Sequence, residues 1–294
     1  MHYSGPVVRP PHEANSILLE VTVGCTHNQC RFCTFYRDTD FKIAPMWQIE
    51  EDLKEAKRVY PSAKRVYAVG GDPFSLSVSR LQDIGNKIKE YFPKANIGMY
   101  ARITSIKNKS LSELKQLRAI GINDLVIGVE SGDDDVLKMV NKGYTASEII
   151  EECRKLEAAG IDYRVIYLGG LAGHGKGEKN AIQTANIFNQ LNPTFLYLTT
   201  VTIFEDSDMY NDVKNGSFIE STEQERIEEI LTLIKNMKKS IIIDGRSVSN
   251  PIHFSVKLPQ DKVAITNKLE AIIKDFTKED ELVLRNRRKK LEVI

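Results

Sequence analysis

Three cysteines fall within nine residues of one another in Gly24-Cys25-Thr26-His27-Asn28-Gln29-Cys30-Arg31-Phe32-Cys33. Thiolates are soft ligands, and a single short loop can wrap a metal ion or cluster at little entropic cost. Three chemistries compete for this loop. Zinc could take Cys25, His27, Cys30 and Cys33, although structural zinc sites usually draw two ligand pairs from separate stretches of chain and no second pair is present. A plant-type [2Fe–2S] centre matches the C-x4-C-x2-C opening and would need Cys153 as its fourth ligand. That residue shares a helical apolar stripe with Ile149, Ile150 and Leu156, so it reads as a small buried hydrophobe. The third chemistry is a [4Fe–4S] cluster held by Cys25, Cys30 and Cys33 alone, which leaves one iron open to a substrate or cofactor.

Such a loop needs a strand to deliver it, and the apolar run Ile17, Leu18, Leu19, Val21 and Val23 supplies one. After the loop, helical and strand patterns alternate. Helical spacing runs through Ile49, Leu53 and Ala56, then a strand covers Arg65 to Val69 and a helix carries Val78, Leu81, Ile84 and Ile88. The alternation continues as strand 96–101, helix 111–120, strand 125–129, helix 145–159, strand 163–168, helix 178–191 and strand 195–199. Gly121, Gly143 and Gly160 stand where helices should stop. Six βα steps predict a parallel sheet with helices outside it.

Beyond Phe204 the rhythm breaks into a helix over 222–238, a short strand over 241–243, a polar loop from Asp244 to Lys257 and a helix through Ile265 and Phe276. The charged tail 278–294, with Arg287, Arg288, Lys289 and Lys290, reads as a solvated helix or frayed end. The 294 residues carry 41 Lys and Arg against 40 Asp and Glu, a balance that points to no nucleic-acid or membrane partner. No apolar run approaches a membrane span, and clustered cysteines suit a reducing cytoplasm better than a disulfide framework.

Ligands of parallel α/β sheets bind at the carboxyl ends of strands, and polar residues gather there in this sequence. Strand two ends in Gly70-Gly71-Asp72-Pro73, whose glycines would let the backbone approach a ligand closely. Strand three ends in Arg102-Ile103-Thr104-Ser105, where a guanidinium can pair with a carboxylate. Strand four ends in Glu130-Ser131-Gly132, a candidate ligand for a ribose diol or an amine. Strand five carries Arg164 and runs into the glycine-rich loop Gly169 to Gly175 with His174, suited to a mobile or ligand-hugging segment. Strand six ends at Thr199-Thr200-Val201-Thr202.

This ordered set, over roughly residues 16–205, resembles the radical S-adenosylmethionine (SAM) superfamily. The segment from Ile127 to Leu137 resembles the subgroup of Elp3-type enzymes, methylthiotransferases and coproporphyrinogen dehydrogenases. Two departures stand out: the first cysteine gap holds four residues where the family has three, and Asp72 replaces the Glu of the family's Gly-Gly-Glu. The resemblance implies an α/β fold with a partial (βα)6 TIM-like barrel and a small C-terminal helical extension. Residues 1–15 would form an extended lead-in, 16–205 the core barrel and 206–294 the extension.

It further implies a [4Fe–4S] cluster on Cys25, Cys30 and Cys33, with SAM oriented by Phe32, Gly70, Gly71, Asp72, Arg102, Ser105, Glu130, Ser131, Arg164 and Val201. In that family the reduced cluster cleaves SAM, and the resulting 5′-deoxyadenosyl radical takes a hydrogen atom from a substrate. No second cysteine set is present for an auxiliary cluster, so the expectation is a single-cluster, oxygen-sensitive cytoplasmic enzyme. Its substrate would be a small molecule or cofactor precursor, ahead of RNA or peptide, and its electron donor a flavodoxin or ferredoxin. His27 and Asn28 are candidates to tune the cluster. An iron–sulfur electron carrier that does not turn over SAM is the alternative from another class.

Overall fold

The computed structural model describes residues 1–292. In chain order the first elements are β1 (Ile17–Glu20), β2 (Thr22–Val23), β3 (Lys42–Ile43), α1 (Met46–Val59), β4 (Arg65–Val69), α2 (Val78–Tyr91), β5 (Asn96–Ala101), α3 (Ile103–Lys107), α4 (Leu111–Ala119) and β6 (Leu125–Glu130). There follow α5 (Asp134–Met139), α6 (Ala146–Ala159), β7 (Tyr163–Gly169), α7 (Gly177–Phe188), β8 (Phe195–Thr200), α8 (Asp208–Asn215) and α9 (Glu223–Asn236). The chain closes with β9 (Ile241–Asp244), β10 (Ser255–Leu258), α10 (Lys262–Lys274) and α11 (Lys278–Lys289). It divides into two compact units, the first made of residues 1–28, 35–128 and 151–163 and the second of 29–34, 129–150 and 164–294.

In the first unit β1, β4, β5 and β6 run parallel in that order, with Ile17 opposite Val66, Arg65 opposite Asn96 and Tyr100 opposite Val126. Helices α1, α2 and α4 bury the apolar faces that their spacing announces, including Ile49, Leu53, Leu81, Ile84, Ile88, Leu114 and Leu117. Ser77 caps α2, and a Ser110–Glu113 capping box opens α4. The single strand expected over 17–23 is broken at Val21: Thr22 and Val23 leave β1 and pair antiparallel with Ile43 and Lys42. The lead-in is pinned down as well, since Ser4 bonds the buried Glu20 and Arg65 bonds the buried Glu13.

In the second unit β7, β8 and β9 are parallel and β10 is antiparallel to β9. Strand β10 starts inside the stretch expected to be loop, because Ser255 to Leu258 alternates exposed and buried positions over only four residues. Helix α9 packs against α7, α10 and α11. The tail forms α11, a mostly exposed helix as expected, with one exception: Arg288 is 6% exposed and forks onto Glu223 of α9 at 2.7 Å through both Nε and Nη2. The last two residues of that tail lie outside the described residues. Backbone φ is positive at Gly121, Gly143 and Gly160, the expected helix stops. Among the described residues no helix is long and apolar enough to cross a membrane.

Candidate cluster and cofactor site

The first unit holds Cys25 and the ends of β4 and β5. Gly71 N–H donates to the Gly24 carbonyl at 2.9 Å, and a β-carbon on Gly71 would stand 2.7 Å from Cys25 Cβ and 2.8 Å from the Tyr36 ring. The space beside Gly70, at φ +137°, is filled by Thr22. The close approach that these glycines permit is therefore made by the strand and loop that carry Cys25.

Asp72 is 1% exposed and accepts from Thr26 Oγ1 at 3.1 Å. Burial pushes its carboxyl up, and Arg102, Ser105, Thr26 and Lys109 offset only part of that. Ser105 caps α3, donating to the Arg102 carbonyl at 2.7 Å and accepting from the Arg102 N–H at 3.0 Å. Lys109, absent from the sequence candidates, is buried, with Nζ donating to the Phe74 carbonyl at 2.7 Å; burial lowers its ammonium to about 8. The Asn28 amide is engaged by the Tyr36 carbonyl at 2.7 Å, which shapes the turn.

The second unit holds Cys30 and Cys33, with Cys33 N–H donating to the Cys30 carbonyl at 3.0 Å. Arg31 ties this half of the loop down: its N–H reaches the Val140 carbonyl, its own carbonyl accepts from Met209 N–H, and its side chain pairs with Asp212. Phe32 packs against an apolar cluster that includes Val136, Val140, Leu168, Leu171 and Val201.

At the end of β6, Glu130 adopts φ +65°, a left-handed backbone that non-glycine residues seldom take. Its carboxylate lies 3.2 Å from Lys142 Nζ, and both side chains are buried. That ammonium stands 5.7 Å from the Phe32 ring centroid and 5.5 Å from that of Tyr144, whose hydroxyl burial raises to about 12. Lys142 is the functional candidate that sequence reasoning missed. One lysine before a helix-stopping glycine looks solvated until the fold brings it back onto Glu130.

Three further expected contacts have partners within the protein. Ser131 is fully buried, its hydroxyl donating to Asn180 at 2.5 Å and accepting from Asp133 N–H. Arg164 sits at the amino end of β7, its guanidinium 5.3 Å from the Phe195 ring centroid, about 16 Å of strand away from Gly169. Val201 gives its N–H to Gly169 and its carbonyl to both Arg226 and Arg288.

The loop after β7 is tied down too. Gly170 N–H donates to the buried Glu229 at 2.7 Å, His174 N–H to Ile219 at 2.8 Å and Gly175 N–H to Glu225 at 2.9 Å. A β-carbon on Gly170 would strike the Arg226 guanidinium, so this glycine hugs α9. His174 itself is exposed and pairs with Glu225.

The donor set suits a three-cysteine cluster. Cys25, Cys30 and Cys33 form no disulfide and are half-buried, within reach of a bound metal, whereas Cys153 is sealed in the core of the first unit with burial pushing its thiol up. A fourth cysteine ligand is therefore not to hand, which removes the support for the [2Fe–2S] reading.

Comparisons with known proteins give the same picture. The chain is 25% identical over 173 residues to a 4′-phospho-dehydrooxetanocin synthase of Priestia megaterium, covering 52% of this chain and 23% of that protein. It is 23% identical over 193 residues to a heme chaperone HemW of Buchnera aphidicola, covering 62% of this chain and 50% of that protein. The chain thus spans half or less of the length of these curated relatives. Methylornithine synthase (PylB) superposes with a TM-score of 0.56 at 15% identity over 90% of this chain and 73% of that one, a shared α/β partial-barrel fold. A family model described as the radical SAM superfamily matches residues 19–186, which begin just before the cysteine loop and end in α7. With more than half of its length inside that match, the chain belongs to the radical SAM superfamily, enzymes that work with a [4Fe–4S] cluster and SAM.

Proposed function

We propose that this protein is a single-cluster radical SAM enzyme that abstracts a hydrogen atom from a small molecule or cofactor precursor. The observation that carries the reading is the contrast in burial among its thiols: three half-buried in one loop, the fourth enclosed in apolar core. Cys25, Cys30 and Cys33 would hold the cluster, and residues 16–205 would form the catalytic core with 206–294 as its extension. When bound and reduced, the cluster supplies the electron for reductive cleavage of SAM.

The chain's own residues have the remaining work of binding and exclusion. Glu130 and Lys142 form a buried ion pair able to meet the amino and carboxylate groups of an amino acid, one charge for each. Phe32 joins the loop to the apolar cluster and keeps water from its flank. Arg102, at the end of β5, is a second cation for a carboxylate, and Asp72 braces the loop through Thr26. Gly70 and Gly71 let the loop seat. A flavodoxin or ferredoxin is the expected electron donor, and the cytoplasm the expected compartment. An RNA substrate loses support, because Arg288 of the basic tail is committed to Glu223.

The test is anaerobic. The protein is reconstituted with iron and sulfide, reduced and given SAM, and 5′-deoxyadenosine is quantified beside a Cys30→Ala control. Nucleoside from the wild type alone is the expected result. A full cluster with bound SAM and no nucleoside would favour an electron carrier, and retained zinc without a cluster would end the enzyme reading.

A further inference from the structure

The connection between α5 and α6 runs beside the second half of the cysteine loop and grips it on both sides of Cys30. Arg31 N–H donates to the Val140 carbonyl at 3.1 Å, and Asn141 Nδ2 donates to the Gln29 carbonyl at 3.1 Å. Asn141 and Gly143 take φ of +55° and +78°, so the chain turns sharply here, while Lys142 N–H stays bonded to the Leu137 carbonyl at 3.0 Å. The turn brings in two buried side chains, Lys142 and Tyr144, with the ammonium 5.5 Å from the tyrosine ring centroid.

Tyr144 is 6% exposed, and its hydroxyl has no part in the SAM contacts proposed above. A buried hydroxyl needs partners. Lys142, itself paired with Glu130 at 3.2 Å, hydrogen-bonds it. An ammonium can only donate, so the tyrosine oxygen accepts from Lys142 and directs its own proton to an acceptor. Cys30 lies near enough for a thiolate charge to act on this hydroxyl. Burial, Glu130 and Cys30 together push it up to about 12, so Tyr144 keeps its proton, as a donor must.

Hydrogen bonds to the sulfurs of an iron–sulfur centre favour its more negative, reduced state and so raise its potential. The Asn28 amide, a candidate for that task within the loop, is committed to the Tyr36 carbonyl. Resting on the proposed cluster at Cys25, Cys30 and Cys33, we infer that Tyr144 donates its hydroxyl proton to sulfur on the Cys30 side and sets how readily the cluster accepts an electron. The electron comes from the external donor and none passes through the tyrosine. Lys142 orients the hydroxyl, so one lysine serves both Glu130 and the donor to the cluster.

Anaerobic redox titration of the reconstituted protein without SAM tests this, followed by pulsed EPR of the reduced cluster. Tyr144→Phe keeps the ring and removes only the hydroxyl. It should retain wild-type iron and lower the midpoint potential by about 59 mV, a tenfold loss in the equilibrium constant for one-electron reduction. In heavy water the reduced wild type should show a coupled exchangeable deuteron that the variant lacks. A merely structural tyrosine would move neither reading. Tyr144→Met reads the same two quantities if Tyr144→Phe fails to fold.

An unchanged midpoint, or a cluster lost together with the hydroxyl, would overturn the inference. Neither reading requires SAM. A wild type that forms the cluster and never yields 5′-deoxyadenosine would therefore refute the catalytic reading alone, with the tyrosine's role still decided by the potential. A wild type that cleaves SAM beside a variant of unchanged midpoint would refute the inference alone, and zinc without a cluster would overturn both.

Discussion

A β-carbon placed on Gly71 would sit 2.7 Å from that of Cys25, closer than packed carbons tolerate. Gly71→Ala must therefore displace the cysteine or the Tyr36 ring, at a cost of about 1–3 kcal/mol. The expected outcome is a folded protein with depleted iron and sulfide after anaerobic reconstitution. Iron content equal to that of the wild type would show that the loop adapts.

Cys153 makes the opposite prediction. Cys153→Ala should retain the full cluster and its SAM cleavage, losing only about 1 kcal/mol of stability from the small cavity left in the core. Iron analysis beside Cys33→Ala decides this. Loss of the cluster in Cys153→Ala would restore Cys153 as a ligand.

The Glu130–Lys142 pair separates stability from binding. Lys142→Met leaves a buried carboxylate unpaired and should cost about 3 kcal/mol in urea unfolding. Glu130→Gln/Lys142→Met should regain most of that stability and still bind SAM at least tenfold more weakly, about 1.4 kcal/mol. Wild-type SAM affinity in the double variant would remove the pair from the site.

Acid sensitivity should trace to the lead-in. Burial alone would raise the Glu13 carboxyl, but hydrogen bonds from His12, Arg65 and Ser16 outweigh it and hold the group at about 2. A carboxyl whose folded value lies below its unfolded one of about 4.3 stabilises the fold above that unfolded value. The contribution then fades as pH falls from about 4.5 to about 2. Urea midpoints at pH 6 and pH 3 should differ in the wild type and differ less in Arg65→Met, where Glu13 keeps only His12 and Ser16.

The tail separates into two kinds of basic residue. Lys289→Ala/Lys290→Ala should leave the unfolding free energy within about 0.5 kcal/mol of wild type, whereas Arg288→Met should cost about 3 kcal/mol by taking the forked partner from the buried Glu223 and leaving it Arg226 at 3.9 Å. Calorimetric unfolding of both variants distinguishes a structural arginine from a solvated arm.

Long periodic elements were legible because burial imposes a face: α2, with Leu81, Ile84 and Ile88 inward, begins and ends where its spacing says. Short elements were not. Helices α3 and α5 span five and six residues, too few for a period to repeat, and β2 and β3 are two residues each. The cysteines were legible because their spacing is itself the signal.

What stayed hidden is the pairing of charges distant in sequence. Glu223 and Arg226 are three apart on α9, on a face that also buries Ile227 and Ile230, and that coincidence marks them as buried. Nothing local announces Arg288 as their partner. The hydroxyls have a local role that sequence position alone does not announce: Ser105 and Ser131 stand at strand ends, where backbone turns away and needs capping, and both side chains accept backbone N–H groups there. Arg164 is a different case. Its second place in a seven-residue strand is legible in the sequence and sets it far from the carboxyl end.

Glu130 has a bearing on any attempt to engineer this chain. Its backbone at φ +65° holds about 1 kcal/mol or more of unfavourable conformation that glycine would not feel. Glycine at that position would relieve the backbone but take the carboxylate from opposite the buried Lys142, a loss of about 3–5 kcal/mol that outweighs the gain. Selection for heat tolerance alone should therefore keep the acid, and glycine can gain at this codon only in a library that also replaces Lys142.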